Sequence, residues 1–381
     1  MERSIHDKLS LGDEQHIKYA VTNDNAFPLD YELTDELPMQ LQHRGYIHRT
    51  AIQKEETNNI KYRIRPTVRG LYSFGDLHAF ISFPYLGFLQ RRVTHHCPTE
   101  VGVYPSFIQM RNFELQVFSQ TANIAGIRRV RQVGENDEFE HIRNYTQGDN
   151  IRSINWRATS RRGELMVNQY ENSKSQMVYT IIDKGRSMKM PFNELTLLDY
   201  AINSSLVLSN IILKKYDRAG LITFSDKIGA IIKASSHQNQ LQKITSYLYN
   251  QVTGFKESNF ELLFYTLRKT ISRRSVMIFF TNFEHKSDLK RNLRYLKILN
   301  KKHLLVVVMF KNTELEALRD QPTRKIKDIY YKTFAEKSII EKEKIANELK
   351  ANGIQVILTA PEDLSVNVVN KYLEIKAKRM K

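Results

Sequence analysis

From Ser175 onward, short continuous apolar runs alternate with segments whose apolar residues return every three or four positions. The runs predict buried strands over residues 177–183, 219–224, 275–280, 304–309 and 354–358. The periodic segments predict helices over 195–213, 241–249, 260–270, 289–299 and 364–376, with a long amphipathic helix over 326–349. Asn352-Gly353 follows that long segment, and a glycine there accepts the left-handed conformation that ends helices. Residues 228–232 are placed to fold back on 219–224 as a hairpin. Alternating strands and helices predict a mostly parallel, doubly wound sheet covered on both faces.

The first quarter of the chain has a different period. Short alternating runs at residues 16–22, 29–33, 60–64, 71–74 and 77–82 are broken by turn residues such as Asn23-Asp24-Asn25, Pro66 and Gly75-Asp76. This predicts an immunoglobulin-like β-sandwich in which 71–74 and 77–82 form a hairpin-like pair. Between the two patterns lies a stretch with few long periodic elements, too long for an ordinary loop. The expected organisation is a β-sandwich domain over 9–105, a connecting insert over 106–170 and an α/β domain over 171–381.

Composition changes this picture only at the edges. The chain of 381 residues suits two or three domains. A net charge of +17 could draw nucleic acid, anionic lipid or an acidic protein. The lysines, however, are spread along helices (Lys286, Lys290, Lys297, Lys301), and no nucleic-acid motif accompanies them, so nucleic acid is not the expected partner. The one cysteine, Cys97, cannot form an intramolecular disulfide. The longest apolar run, residues 304–310, falls far short of the roughly 18 residues needed to span a bilayer, and no secretory signal follows Met1.

The densest chemistry lies between Gly134 and Met188. Phe139-Glu140, Ile142-Arg143-Asn144-Tyr145, Gly148-Asp149-Asn150 and Ile154-Asn155-Trp156 follow one another closely, then Arg161-Arg162-Gly163-Glu164-Leu165-Met166-Val167, then Asp183-Lys184-Gly185-Arg186-Ser187-Met188. Together with Leu11-Gly12-Asp13, Asp35-Glu36-Leu37-Pro38 and Arg65-Pro66-Thr67-Val68-Arg69-Gly70, this run resembles the bacterial family called domain of unknown function 58. Its carboxyl part resembles a von Willebrand factor A domain. The resemblance implies a setting: such proteins are commonly associated with MoxR-class AAA+ ATPases and with other von Willebrand A proteins. Many also carry a pair of membrane helices before the Leu-Gly-Asp point, which here stands near the chain start. The resemblance therefore suggests membrane association, and a cytoplasmic location at the inner face of the inner membrane if such a hairpin precedes Met1.

It also implies a degenerate metal-ion-dependent adhesion site. Asp183, Ser187, Ser258 and Asn282 stand where a divalent ion, Mg2+ for instance, would be held. Gly185 replaces one serine, and Asn282 brings an amide oxygen where a second carboxylate is usual. Fewer charged ligands weaken a hard-cation site. Three readings of Asp183 stand side by side: weak metal binding, an acid that accepts backbone N–H bonds at the following turn, and a partner-binding face at the top of the sheet that needs no ion.

Glu138, Glu140, Arg143, Asp149, Arg152, Trp156, Arg157, Arg161 and Arg162 crowd the insert. The favoured reading is a salt-bridged clasp between the domains with Trp156 buried as its anchor. The alternative is a docking surface, since Arg and Trp are frequent at interface hot spots; an acid–base pair is the weakest of the three. His95-His96-Cys97 is declined as a metal cluster, because neighbours on a strand face opposite ways. No phosphate loop or nucleophile elbow is present. The expected function is a non-enzymatic interaction module or adaptor, with a partner surface at Asp183, Gly185, Ser187, Asn282, Glu140, Arg143, Asp149, Arg152 and Trp156. The alternatives are a metal-assisted hydrolase using Asp183 and a protein that binds anionic polymer or lipid.

Overall fold

The structure, a computed structural model, describes residues 1–42, 46–83, 86–106, 138–146, 151–171, 175–322 and 325–379. The first ten strands are β1 (Glu2–Ser4), β2 (Lys8–Ser10), β3 (Gln15–Thr22), β4 (Leu29–Asp35), β5 (Ile47–Ile52), β6 (Thr57–Ile64), β7 (Gly70–Phe74), β8 (Leu77–Phe83), β9 (Leu86–His95) and β10 (Thr99–Tyr104). They form three small sheets, ordered β1-β3-β6, β2-β10-β7 and β5-β4-β8-β9. Alternate residues of β3 and β4, among them Ile17, Tyr19, Tyr31 and Leu33, point into one shared core.

Strands β7 and β8 are not the hairpin that their spacing suggests. β7 pairs with β10, whereas β8 pairs with β4 and β9. Glu36 explains the difference. Its carbonyl accepts from the Gly75 N–H at 2.9 Å and its Oε2 from the Asp76 N–H at 3.1 Å. A Cβ at position 75 would collide with the Glu36 side chain. The Gly75-Asp76 corner is thus pinned against the end of β4 and carries the chain from one sheet to another.

The insert contributes β11 (Glu138–Asn144), the short helix α1 (Trp156–Arg162) and β12 (Met166–Glu171), with β11 and β12 antiparallel. Asn155 caps α1 by accepting from the Ala158 N–H, and Gly163 closes it at φ +72°. Asp149 lies outside the described residues, as do the side chains of Glu140, Arg143 and Arg152.

The remaining elements are β13 (Met177–Asp183), β14 (Pro191–Phe192), β15 (Leu195–Thr196), α2 (Leu197–Lys214), β16 (Arg218–Phe224), β17 (Ile228–Ser235), α3 (Gln240–Tyr249), α4 (Phe260–Thr270), β18 (Val276–Phe280), α5 (Lys286–Lys302), β19 (Leu304–Phe310), α6 (Thr313–Asp320), α7 (Ile326–Ala351), β20 (Gln355–Thr359) and α8 (Leu364–Arg379). One six-stranded sheet runs β17-β16-β13-β18-β19-β20, parallel except for the edge strand β17. Val178 and Ile182 of β13 face α2, α3 and α8, while Tyr179 and Ile181 face α4, α5 and α7. Burial on both faces is why these strands read as unbroken apolar runs. Helix α6 escaped the pattern because it is short, charged and buries no residue.

The two units meet through Arg69. Its guanidinium pairs with Asp199 at 2.9 Å and donates to the carbonyls of Leu248 at 3.1 Å and Gln251 at 2.7 Å. Both charged side chains are about nine-tenths buried. Asp199 is also the third residue of α2, and its other oxygen accepts from the N–H and the hydroxyl of Thr196. Around this pair, Ser106 N–H donates to Asn203 Oδ1 at 3.0 Å, Tyr104 packs on Tyr249, and Leu195 joins the β-domain core.

Two expectations are corrected here. The clasp with Trp156 as its buried anchor is not found: Trp156 is 67% exposed, and α1 buries no residue of its own. Among the described residues, Arg69 of the Arg65-to-Gly70 segment makes the buried ion pair between the units. Membrane association is overturned as well, since among the described residues no helix is long and apolar enough to cross a membrane. Even α7, with 26 residues, carries charged side chains along its length.

Candidate functional site at the carboxyl edge of the sheet

The strand order turns around β13: the chain adds β16 and β17 on one side, then β18, β19 and β20 on the other. Loops leaving the carboxyl ends of β13 and β18 therefore part in opposite directions and leave a crevice, where open α/β sheets hold their ligands. Asp183 ends β13, and Thr281 and Asn282 follow β18 directly. A third loop arrives from the start of α4, where Asn259 accepts from the Leu262 N–H and so fixes Ser258 just ahead of it.

Asp183 is 2% exposed. Its Oδ1 accepts from the Gly185 N–H at 2.8 Å and from the Ser258 hydroxyl, and its Oδ2 from the Thr281 hydroxyl at 2.8 Å. Burial pushes its carboxyl above the usual range against the pull of those three bonds. The bond to Gly185 holds the residue that precedes the 3-10 turn Arg186–Lys189, whose own first N–H groups Asp183 does not cap. Position 185 has no room for a side chain: a Cβ there would collide with Ser258 Oγ and stand 3.1 Å from Asp183 Oδ1. The glycine at position 185 and the Ser258 hydroxyl on Asp183 are therefore one structural fact.

Asp183, Ser187, Ser258, Thr281 and Asn282 line a common cavity of about 140 Å³, floored by Phe260. The structure thus brings Asp183, Gly185, Ser187, Ser258 and Asn282 together, as the sequence suggested. Two participants were missed. Thr281, adjacent to Asn282, is the second hydroxyl on Asp183. Lys342, sixty residues downstream on α7, donates its ammonium to Asn282 Oδ1. Burial pulls the Lys342 pKa down to about 8, opposed by the charge of Glu284. Nothing in the local sequence marks Lys342 among its many lysine neighbours on that helix.

A magnesium ion asks for about six oxygens with compensating negative charge. This crevice offers Asp183, already engaged by three donors, the Glu257 and Asp288 carboxylates, paired with Arg186 and Arg291, and one amide oxygen that faces an ammonium. Among the described residues no group of three His, Cys, Asp or Glu converges as a metal-ligand set. In the insert, Trp156 projects to solvent, and the side-chain bonds of Asn155 and Thr159 close within the insert itself.

With the geometry in place, residues 141–333, about half of the chain, match the family described as protein of unknown function DUF58. The chain belongs to the DUF58 family. The match runs from β11 into α7, so it holds Asp183, Ser187, Ser258 and Asn282 but stops short of Lys342. "Uncharacterized protein YeaD" of Bacillus subtilis (strain 168) is 22% identical over 186 residues, 47% of this chain and 46% of that protein. The match thus spans about half the length of this curated relative. Among solved structures, conserved hypothetical protein BatB from Bacteroides thetaiotaomicron is similar with a TM-score of 0.36 at 11% identity, over 54% of this chain and 100% of that one. Proximal thread matrix protein 1 from the mussel byssus is similar with a TM-score of 0.27 at 11% identity, over 50% of this chain and 42% of that one. Likenesses this loose carry no argument about ligand or partner.

Proposed function

We propose that this DUF58 protein is a non-enzymatic interaction module, an adaptor that hands a client to a MoxR-class AAA+ ATPase. In this reading the α/β unit is a von Willebrand factor A-like domain, the β-rich unit is an immunoglobulin-like sandwich, and the carboxyl edge of the large sheet is the docking face. One observation carries the reading. Asp183 is buried and bonded by the Gly185 N–H and the Ser258 and Thr281 hydroxyls, and Asn282 is bonded by Lys342. A hydrolase needs an acid free to take a proton or to hold a water-bearing ion. A docking face needs loops held in one arrangement, which is what this network supplies. The ATPase is what family membership implies, and it would supply the energy, because the chain carries no phosphate loop of its own.

The test is affinity capture from a native lysate with ATP or a non-hydrolysable analogue, wild type beside Asp183→Ala, with the captured proteins identified. An AAA+ ATPase of the MoxR class recovered by wild type alone supports the reading and assigns the contact to the sheet edge. Recovery by both proteins moves the contact elsewhere on the module. No such ATPase in any nucleotide state refutes the adaptor reading.

A further inference from the structure

From Ile326 to Lys344, Ala335 is the only residue of α7 that is buried. Ala335 shares one side of the helix with Ile345, Ala346 and Leu349, which face the sheet. At about 100° per residue, the opposite side carries Ile326, Ile329, Tyr330, Thr333, Lys337 and Ile340. Ile326 is 88% exposed, Tyr330 72%, Ile329 56% and Ile340 48%. Large apolar side chains lined up on one solvent-facing stripe of a helix mark a protein contact.

The charges beside the stripe say what covers it. Lys325, Lys327 and Lys332 lie in the first part of the segment, and Glu336, Glu341 and Glu343 in the second. Helix geometry sets Lys325, Lys332, Glu336 and Glu343 along one flank of the stripe, and Lys327 and Glu341 along the other. Arg319 and Asp320 of α6 lie near Glu336 and Lys332 but pair with each other at 2.8 Å. Asp328 belongs to the start of its own helix, where it accepts from the Lys325 N–H at 2.9 Å. Among these flanking charges Glu341 is the one already engaged, 3.6 Å from His285.

A second α7 laid antiparallel, with the two-fold axis at Phe334, matches this pattern charge for charge. Lys332 of one copy then faces Glu336 of the other, Lys325 faces Glu343, and Lys327 faces Glu341, each pair occurring twice by symmetry. Ile326 comes beside Ile340 of the other copy. Lys337, the one charge on the stripe itself, reaches the rim as lysines do over apolar surface. A parallel pair would set lysine against lysine and glutamate against glutamate. We propose that this stripe of α7 is a homodimer contact, in which two copies of the chain pair antiparallel and the Lys332–Glu336 contacts fix the orientation. The inference goes beyond the adaptor reading and does not rest on it. Lys342 sits on the opposite side of the helix, so pairing leaves its bond to Asn282 in place.

The test is sedimentation equilibrium on the full chain. A pair of helices in contact over about four turns buries less than a standard interface, so the expected Kd is on the order of 10 µM. Lys332→Glu and Glu336→Lys each turn two attractive contacts into repulsive ones, and each should weaken the dimer about ten-fold. The double variant should recover the wild-type affinity. An equimolar mixture of the two single variants should recover it as well, because the acidic flank of one meets the basic flank of the other; a folding defect in either could not be repaired by mixing. Tyr330→Ser should weaken the dimer about ten-fold with an unchanged circular dichroism spectrum. Three results would each overturn the proposal: no dimer at about 0.5 mM, a dimer indifferent to Tyr330→Ser and to both charge reversals, or charge reversals that neither the double variant nor the mixture repairs.

Discussion

Replacing Arg69 with methionine tests the contact that holds the two units together. The substitution keeps most of the apolar stem and removes the guanidinium. Asp199 then keeps a buried charge whose cationic partner is gone, and the Leu248 and Gln251 carbonyls lose the guanidinium as donor. Breaking one side of a buried ion pair costs about 3–5 kcal/mol; the Leu248 carbonyl keeps the Gln251 N–H, and the Gln251 carbonyl, which loses the Arg69 donor, adds about 1 kcal/mol. Two features soften this. The second Asp199 oxygen still accepts from Thr196, and the carboxylate sits in the first turn of α2, where the helix dipole favours negative charge by up to about 1 kcal/mol. The expected loss is about 3–5 kcal/mol. In the double variant Arg69→Met, Asp199→Asn the stranded charge disappears, so the expected loss falls to about 2 kcal/mol. Two units need not unfold together, so the assay is urea unfolding read by hydrogen exchange in β7 and in α3 separately. A loss below about 1 kcal/mol for Arg69→Met, or a double variant equal to the sum of the singles, would refute the assignment of the domain contact to this pair.

Three further outcomes are expected. Gly185→Ala should lower the melting temperature, with a loss of about 2 kcal/mol, because the new methyl displaces the Ser258 hydroxyl from Asp183; combining it with Ser258→Ala should recover part of the loss, and no recovery would contradict the steric account. Trp156→Ala should change stability by no more than about 0.5 kcal/mol, as for any exposed surface position, and a large loss by thermal unfolding would restore the buried-anchor expectation. His303 is buried, accepts from the Ser275 N–H at 3.3 Å, and has an Nε2 without a partner among the described residues. Burial, with Lys302 and Arg274 nearby, holds its pKa down to about 4 from 6.5. Its folded pKa is depressed, so its contribution is intact above pH 6.5 and is lost as pH falls from there toward 4, at up to about 1.4 kcal/mol per pH unit. His303→Gln should flatten that part of the stability-versus-pH curve, and an unchanged slope would show that other groups set it.

The sequence by itself determined the long strands and helices of the α/β unit, though not the short β14, β15 and α6. Strand β13 covers the predicted residues 177–183 and α4 the predicted residues 260–270, and Asn352-Gly353 ends α7. A strand buried on both faces must be apolar throughout, and a helix on a sheet must be apolar every third or fourth residue, so local composition is enough. Asp183 stood out at the carboxyl end of an apolar strand, and the resemblance to a von Willebrand factor A domain added Ser187, Ser258 and Asn282. Only the tertiary structure decided which sheet β8 joins, since Glu36 acts on Gly75 across forty residues of chain. Only the tertiary structure revealed Arg69 as a domain contact. An arginine's partner is set by what folds against it, and Asp199, Leu248 and Gln251 are all more than a hundred residues away. Lys342 shows the limit most sharply. On α7 it is one lysine among several, and it becomes part of the crevice because the packing of α7 carries its ammonium to Asn282. Periodicity tells which face of an element is buried; it does not tell which charge will meet which oxygen, because that depends on how elements distant in sequence dock.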